Sequence, residues 1–434
     1  MDDTCKFSKK TIEDIKLSDK TVLLRADYNV PIDEEGNITD DFRMLQSLPT
    51  VKSLLKSNCK IVICSHLGRP EGKRDKRFSL QKVAKHLEKL LSTDVKFVDD
   101  CIGSEVGKAV SKLKQGEILM LENLRFYPDE EANSKDFAKQ LASLADVFVQ
   151  DGFGVVHRAH ASTEAITHFL PSVSGLLLEK EVEAIDCAMQ MPKRPLMTIV
   201  GGAKISDKIE ILETFIDKAD IVVIGGAMAN TFLLAEGVYI GESMADPDDI
   251  DLARSILKKA KAEAKKRHFV IYLPQDAVVA DEAERMAKTR IVDWDAHVIA
   301  AIENYPKRPP SITARVRKDE KILDIGPFSG AFIAGAMQTA NTVIWNGTMG
   351  VTETPGVQGP IGPFAHGTEL IIESMIGEFG HKPYTIIGGG DTSAYVAQRG
   401  LTEYFDHVST GGGAGLELMA GKKLPGVEAL QSKK

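Results

Sequence analysis

Short apolar runs that break on glycine recur along this chain, and they confine it to folds of alternating strands and helices. Four stand in the second half: Thr198-Ile199-Val200-Gly201-Gly202, Ile221-Val222-Val223-Ile224-Gly225-Gly226, Thr385-Ile386-Ile387-Gly388-Gly389-Gly390 and Val408-Ser409-Thr410-Gly411-Gly412-Gly413. Each reads as a buried strand that turns tightly and opens a helix. Glycine permits backbone conformations closed to other residues, and bare amides at a helix N-terminus form an anion site. Of 36 glycines, nine precede residue 191 and the rest follow it. The first half ends its runs on cations instead: Arg25-Ala26-Asp27-Tyr28-Asn29, Ser65-His66-Leu67-Gly68-Arg69, Glu122-Asn123-Leu124-Arg125 and His157-Arg158-Ala159-His160. One half offers backbone to phosphates and the other offers charged side chains, a division that suits phosphoryl transfer between two substrates.

The alternation predicts βα units and parallel sheets. Strands are expected near 21–26, 60–65, 94–98, 117–121 and 146–151, with helices near 46–57, 79–92, 103–114 and 134–145. In the second half strands are expected near 196–200, 220–224, 268–273, 321–325, 341–345, 384–387 and 405–409. Leu178, Val182, Ile185 and Met189 recur on one helical face, and Pro192 and Pro195 end that helix, so 178–191 reads as a semi-rigid link between halves. A further helix is expected over 247–266, with Asp246 as its cap and Pro247 in its first turn.

At 434 residues the chain exceeds what one core usually supports, so two domains are the prior. A net charge of −8 without a basic block argues against nucleic acid as the main partner. No apolar run approaches the ~20 residues of a membrane span, and the polar start lacks a signal peptide's core, so a cytoplasmic protein is expected. The five cysteines Cys5, Cys59, Cys64, Cys101 and Cys187 are scattered without a C-x-x-C pair, which fits reduced thiols.

The glycine turns match neither G-x-x-x-x-G-K-[ST] nor a G-x-G-x-x-G after the first strand. The latter absence weighs against a nicotinamide-dependent dehydrogenase; a non-catalytic nucleotide-binding scaffold is the other alternative. Lys204 and Lys208 stand four apart after Gly201-Gly202-Ala203, and on the first turns of a helix they would share a face toward a polyphosphate. In Gly388-Gly389-Gly390-Asp391-Thr392 the carboxylate suits Mg²⁺, which in phosphoryl transfer takes one or two carboxylates and phosphate oxygens. Arg43, His66, Arg69, Arg125 and Arg158 fall at or beyond strand ends, where open α/β sheets bind ligands.

Seven ordered motifs carry a resemblance that covers essentially the whole chain. They are Arg25-Ala26-Asp27-Tyr28-Asn29-Val30-Pro31, Ser65-His66-Leu67-Gly68-Arg69-Pro70, Glu122-Asn123-Leu124-Arg125-Phe126, 201–208, Trp345-Asn346-Gly347, 388–392 and 409–414. Together they resemble the phosphoglycerate kinase family. The resemblance implies two Rossmann-like parallel-sheet domains joined by a helix, with a hinge and a cleft between them. The domains would be 1–178, completed by 412–434, and 193–411, with 179–192 as the connecting helix. It implies reversible transfer of the acyl phosphate of 1,3-bisphosphoglycerate to Mg-ADP, giving 3-phosphoglycerate and ATP, by a monomer.

By the same resemblance Asp27, Tyr28, Asn29, Arg43, His66, Leu67, Gly68, Arg69, Arg125 and Arg158 would hold the phosphoglycerate. Gly202, Ala203, Lys208, Gly226, Gly326, Asn346, Glu353, Gly389, Gly390, Asp391 and Thr392 would hold the nucleotide, with Asp391 on Mg²⁺. Arg43, Lys204, Gly390 and Gly413 would surround the phosphoryl group in flight. Thr348, Phe328 and the insertion 354–363 depart from the family pattern and leave adenine versus guanine open.

Overall fold

The computed structural model describes residues 6–294, 298–299 and 315–433. The chain divides into two compact units, one of residues 1–184 with 410–434 and one of 185–409.

The first unit holds β1 (Thr21–Arg25), β2 (Lys60–Cys64), β3 (Val95–Phe97), β4 (Ile118–Met120), β5 (Val147–Gln150) and β6 (Ser172–Ser174). They form one sheet in the order β3-β4-β2-β1-β5-β6, parallel at every pairing. Successive side chains of a strand point to opposite faces, and both faces here are buried. Val22 and Leu24 of β1 and Ile61 and Ile63 of β2 enter one core with Met44, Val51 and Leu54 of the helix Phe42–Lys56 and Val83 and Leu87 of the helix Gln81–Leu91. Leu23 and Val62 enter the other, against Val106 of the helix Ser104–Ser111 and Phe137 and Leu141 of the helix Lys135–Ala142. Helices thus cover both faces, as a buried parallel sheet requires.

The helix Phe42–Lys56 begins four residues earlier than expected, which puts Pro49 in its interior. Pro49 is exposed, so water can satisfy the carbonyl that the ring deprives of a donor. The edge strand β6 has a single apolar residue, too few for periodicity to reveal. Gln431 N donates to Ser172 O (3.0 Å) and Gly426 N to Val156 O (2.9 Å), so the C-terminal segment packs on this unit.

In the second unit come β7 (Leu196–Val200), β8 (Ile221–Ile224), β9 (Val270–Tyr272), β10 (Asp276–Ala280), β11 (Arg290–Asp293), β12 (Val298–Ile299), β13 (Lys321–Ile325), β14 (Thr342–Asn346), β15 (Tyr384–Gly388) and β16 (His407–Val408). The main sheet runs β12-β9-β8-β7-β14-β15-β16, parallel except for the antiparallel edge pair β12–β9. Here the expectation of parallel sheets alone needs correction. The run 321–325 belongs to a separate antiparallel sheet, β11-β10-β13. It ends on Gly326-Pro327 like the parallel strands, and nothing in such a run encodes direction or partner. Only residues 273–275 separate β10 from β9, too few for a crossover helix.

The helix Leu176–Gln190 contains the boundary between the units. In the first unit its opening amides are capped from two sides: Leu176 N donates to Thr50 Oγ1 (3.0 Å) and Leu177 N to Asp151 Oδ1 (3.0 Å). Burial pushes the Asp151 carboxyl up to about 7. The expected helix 247–266 divides into a 3₁₀ turn, Pro247–Asp249, capped by Asp246 Oδ1 on Asp248 N (3.2 Å), and the helix Ile250–Ala264. Among the described residues no helix is long and apolar enough to cross a membrane. Cys59, Cys64 and Cys101 are buried thiols, Cys187 is partly exposed, and Cys5 lies outside the described residues.

Candidate active site

In the first unit the charged residues gather where β1, β2, β4 and β5 end. Asn29 follows β1, Gly68 follows β2, and Arg125 lies in the 3₁₀ turn Leu124–Phe126 after β4. Gly68 joins them: its N–H donates to Asn29 Oδ1 (2.8 Å) and its carbonyl accepts from Arg125 Nη1 (2.8 Å). Arg43 opens out from the helix Phe42–Lys56, with Nη1 on Asn29 O (3.0 Å) and 3.2 Å from Asp27 Oδ2. Asp27 also accepts from Asn29 N (3.3 Å). Arg69 and Arg158 are exposed, and Arg43 keeps 27% of its side chain exposed, so three guanidiniums face water while Asp27, Asn29 and Arg125 brace the loops beneath. Such a rack suits a multiply charged phosphate and carboxylate ligand.

One expectation changes here. His66 was counted among the cations, but its ring is buried, and burial with Arg25, Arg125 and Arg43 around it holds its pKa well below the usual value. It is therefore a neutral imidazole at pH 7, able to donate one hydrogen bond but not to add charge. Tyr28 is wholly buried, its hydroxyl 3.0 Å from Ser47 Oγ, and Leu67 packs in the core, so their side chains serve the packing of the loop and what they offer at its surface is backbone. His160 is likewise pushed down to about 4 by burial and by Arg25, Arg125 and Arg158.

Sequence reasoning missed the support of this rack. Arg25 is 1% exposed; its Nε donates to Ser162 Oγ (2.8 Å), and Nη2 lies 3.3 Å from His66 Nδ1. Ser162 in turn donates through N (3.0 Å) and Oγ (2.5 Å) to the buried Glu130. An arginine closing an apolar strand was the available signal. Near the end of the chain Thr410 N and Oγ1 both donate to the buried Glu181 Oε1, at 2.6 and 2.7 Å. Gly413 opens the short helix Gly413–Met419, and a Cβ built on it would lie 3.6 Å from His157 Nε2.

In the second unit the turns after β7, β14 and β15 lie side by side. A Cβ on Gly201 would fall 2.2 Å from Thr348 O, and one on Gly347 2.5 Å from Gly201 O, so only glycine lets these two turns touch. Gly347 N donates to the buried Thr392 Oγ1 (2.8 Å). Gly389, with φ 91°, is the N-cap of the helix Gly390–Gln398 and supplies no side chain, leaving the first amides open. Asp391 is exposed on that first turn. The Asn346 amide lies against Gly389, with Nδ2 lacking a partner.

Lys204 and Lys208 do not share a helical face. The helix starts only at Ile209, after the 3₁₀ turn Ser206–Lys208, and Asp249 Oδ2 accepts from the amides of Ile205 (3.1 Å) and Ser206 (3.0 Å) ahead of it. Lys208 turns inward, with Nζ on Gly201 O (2.5 Å) and Asn346 Oδ1 (2.8 Å). Lys204 points out, 3.4 Å from Asp246 Oδ2 with 58% of its side chain exposed. Gly326 follows β13 and is buried, its N–H donating to Asp276 O (2.9 Å) with the Asp276 carboxylate filling the space beside it. Gly202 and Gly226 are half-buried; Ala203 and Glu353 are exposed, the latter at the head of the loop 354–363.

Burial brings the Lys208 ammonium down to about 8, against the opposing pull of Asp391. A lysine depressed in this way is charged below that pH and neutral above it, and a polyphosphate favours the charged form. Nucleotide affinity should therefore fall as pH rises through about 8, whereas Lys208→Arg should hold its affinity beyond pH 9. Calorimetric titrations across pH 6.5–9.5 read this directly; parallel curves for the two proteins would remove Lys208 from the phosphate site.

Among the described residues no cluster of three or more His, Cys, Asp or Glu could cage a metal. The single exposed carboxylate of Asp391, beside open helix amides, nevertheless suits Mg²⁺ carried on phosphate oxygens.

The family model described as "Phosphoglycerate kinase" matches residues 12–422. Proteins named phosphoglycerate kinase from Chloroflexus aggregans and Moorella thermoacetica are each 44% identical over 427 residues, covering 98% of this chain and 99% and 100% of theirs. Among solved structures, the phosphoglycerate kinase of Coxiella burnetii superposes with a TM-score of 0.78 at 36% identity, covering 97% of this chain and 98% of that one. That of Pyrococcus horikoshii OT3 gives 0.81 at 28% identity with the same coverage.

Proposed function

The chain belongs to the phosphoglycerate kinase family and is a phosphotransferase, and we propose that its first unit holds 3-phosphoglycerate or 1,3-bisphosphoglycerate while its second holds Mg-ADP or Mg-ATP. The observation that supports this division is the contrast between the two anion cradles: exposed guanidiniums around Gly68 in one unit, and glycine-turn amides with Lys208 and Asn346 in the other. Arg43, Arg69 and Arg158 pair with the phosphate and carboxylate oxygens, and the neutral His66 donates a hydrogen bond. The attacking oxygen is already anionic, whether carboxylate or β-phosphate, so no general base is needed. Alignment and charge neutralisation carry the reaction.

Lys208, Asn346 Nδ2 and the amides at Gly390 orient the nucleotide phosphates. Asp391 holds Mg²⁺, which when bound lowers the charge of the polyphosphate. Arg43 and Gly413 of the first unit, and Lys204 and Gly390 of the second, are the residues we assign to the transfer step. For Lys204 this means leaving Asp246, an exposed pair worth little on its own. An acyl phosphate must be kept from water, so the ligands have to be enclosed together. Hinge closure follows from that need, and a monomeric state and a cytoplasmic setting belong to the same proposed reading. Small-angle scattering of the apo and ternary states tests closure and mass together; equal radii of gyration would count against closure.

The division of ligands is tested by Asp391→Ala. The variant should lose about tenfold or more in affinity for Mg-ADP, while 3-phosphoglycerate binding stays within twofold of wild type. Titration calorimetry with each ligand alone decides it, and equal losses for both would contradict the assignment.

A further inference from the structure

Arg25, Ser162 and Glu130 lie beneath the first cradle at 1%, 0% and 1% exposure. Their hydrogen bonds run in one direction. Arg25 Nε donates to Ser162 Oγ (2.8 Å), and that hydroxyl gives its own proton to Glu130 Oε1 (2.5 Å), while Ser162 N donates to Glu130 Oε2 (3.0 Å). The serine thus stands between a buried cation and a buried anion. In a low-dielectric setting such a network holds its members firmly, and removing one leaves the others unpaired.

The far end of Arg25 meets His66. Its Nη1 donates to Ala26 O, and Nη2 lies 3.3 Å from His66 Nδ1. A guanidinium has donors only, so Nδ1 is the acceptor and carries no proton. Asp27 Oδ1, which could draw a proton onto Nδ1, is 3.9 Å away and out of hydrogen-bond reach. The contact also bars the imidazolium form, because that form has a proton on both nitrogens. The one ring proton is therefore on Nε2.

Arg25 binds the ring from its buried side, so Nε2 is the outer nitrogen. Among the described residues Nε2 has no partner, and it is not sealed from water. Arg25, Arg43 and Arg125 stand around the ring with His160 and Asp27. What His66 presents there is a single N–H donor, which suits an anionic oxygen.

We propose that Glu130, Ser162 and Arg25 form a relay that fixes His66 as the Nε2–H tautomer, making Ser162 a positioning residue for the anionic ligand of the first unit. This rests on the proposed reading of that unit. Without the hydroxyl between them, Arg25 and Glu130 attract each other directly and the guanidinium leaves Nδ1. Asp27 then favours a proton on Nδ1. The outer nitrogen becomes an acceptor, and its lone pair faces the oxygen of the ligand.

The test reads the tautomer and the kinetics together. Two-bond proton–nitrogen spectra of protein labelled with ¹⁵N at its ten histidines resolve the ring nitrogens, and His66→Asn identifies the signal of His66. Wild-type protein at pH 7 should show Nδ1 bare and Nε2 protonated. In Ser162→Ala the signal should move toward the Nδ1–H form. Its KM for 3-phosphoglycerate should rise about tenfold, and its KM for ATP should stay within about twofold. Ser162→Thr, which keeps the hydroxyl, should retain the wild-type tautomer and the wild-type KM ratio. A merely structural serine would move both KM values together and leave the tautomer alone. The wild-type spectrum needs no variant, so misfolding cannot shelter the proposal: a proton on Nδ1, alone or with one on Nε2, overturns it. An unchanged tautomer or KM ratio in Ser162→Ala overturns the relay. Absence of turnover with 3-phosphoglycerate in wild type would instead overturn the reading of the first unit, whatever the spectrum shows.

Discussion

Arg43→Ala should lower kcat by about 10²–10³ while ligand affinity falls only several-fold. The side chain is partly exposed at the rim of the first cradle, held in place by Asn29 O and Asp27 rather than sunk beneath the loops as Arg25 and Arg125 are. It is thus free to strengthen its contact as charge develops on the moving phosphoryl group, and only interactions that strengthen there raise kcat. Lysine at this position would restore charge without the planar fork and should recover part of the loss. The check is kcat and KM for both substrates in all three proteins. A KM rise with kcat preserved would make Arg43 an ordinary binding residue.

The largest stability effect is expected at Trp345. It is wholly buried in the middle of the second unit's sheet, at the end of β14, and its Nε1 donates to Gly347 O (2.7 Å). Truncation to alanine leaves a large cavity and frees the Gly347 carbonyl beside Gly201, at a cost of about 3–5 kcal/mol. For a unit of this size that is a fall of roughly 6–20 °C in its melting transition. Trp345→Phe, which keeps most of the volume, should cost clearly less. Scanning calorimetry separates the cases, and a shift below about 2 °C for the alanine variant would mean that the sheet does not depend on this ring.

The strands that carry the site were legible because each is a short apolar run with a distinctive break. β1, β2 and β5 lie within a residue of where alternation places them, and the loops after them hold Asn29, Gly68 and Arg158 as the motifs suggested. Charge state was not legible in the same way. His66 looks like a cation in sequence and becomes a neutral ring only because burial and three arginines surround it. Nor could spacing show that the α-helix would start only at Ile209, after a 3₁₀ turn whose leading amides bind Asp249 more than forty residues on, and so separate Lys204 from Lys208. Long-range partners of this kind, like Glu181 for Thr410, leave no local pattern. The antiparallel β11-β10-β13 sheet escaped because β13 is an apolar run like the parallel strands, while β10 and the half-polar β11 were not expected as strands.

The central claim is that this chain moves a phosphoryl group between a nucleotide and the carboxylate of 3-phosphoglycerate. The most direct measurement supplies ATP, Mg²⁺ and 3-phosphoglycerate, and follows NADH oxidation as an excess of an acyl-phosphate-reducing dehydrogenase consumes the product. NADH oxidation should depend on all three components, scale with the amount of protein, and fall by about 10²–10³ with Arg43→Ala. No NADH oxidation above the protein-free rate, with ATP or any other nucleotide, would contradict the account.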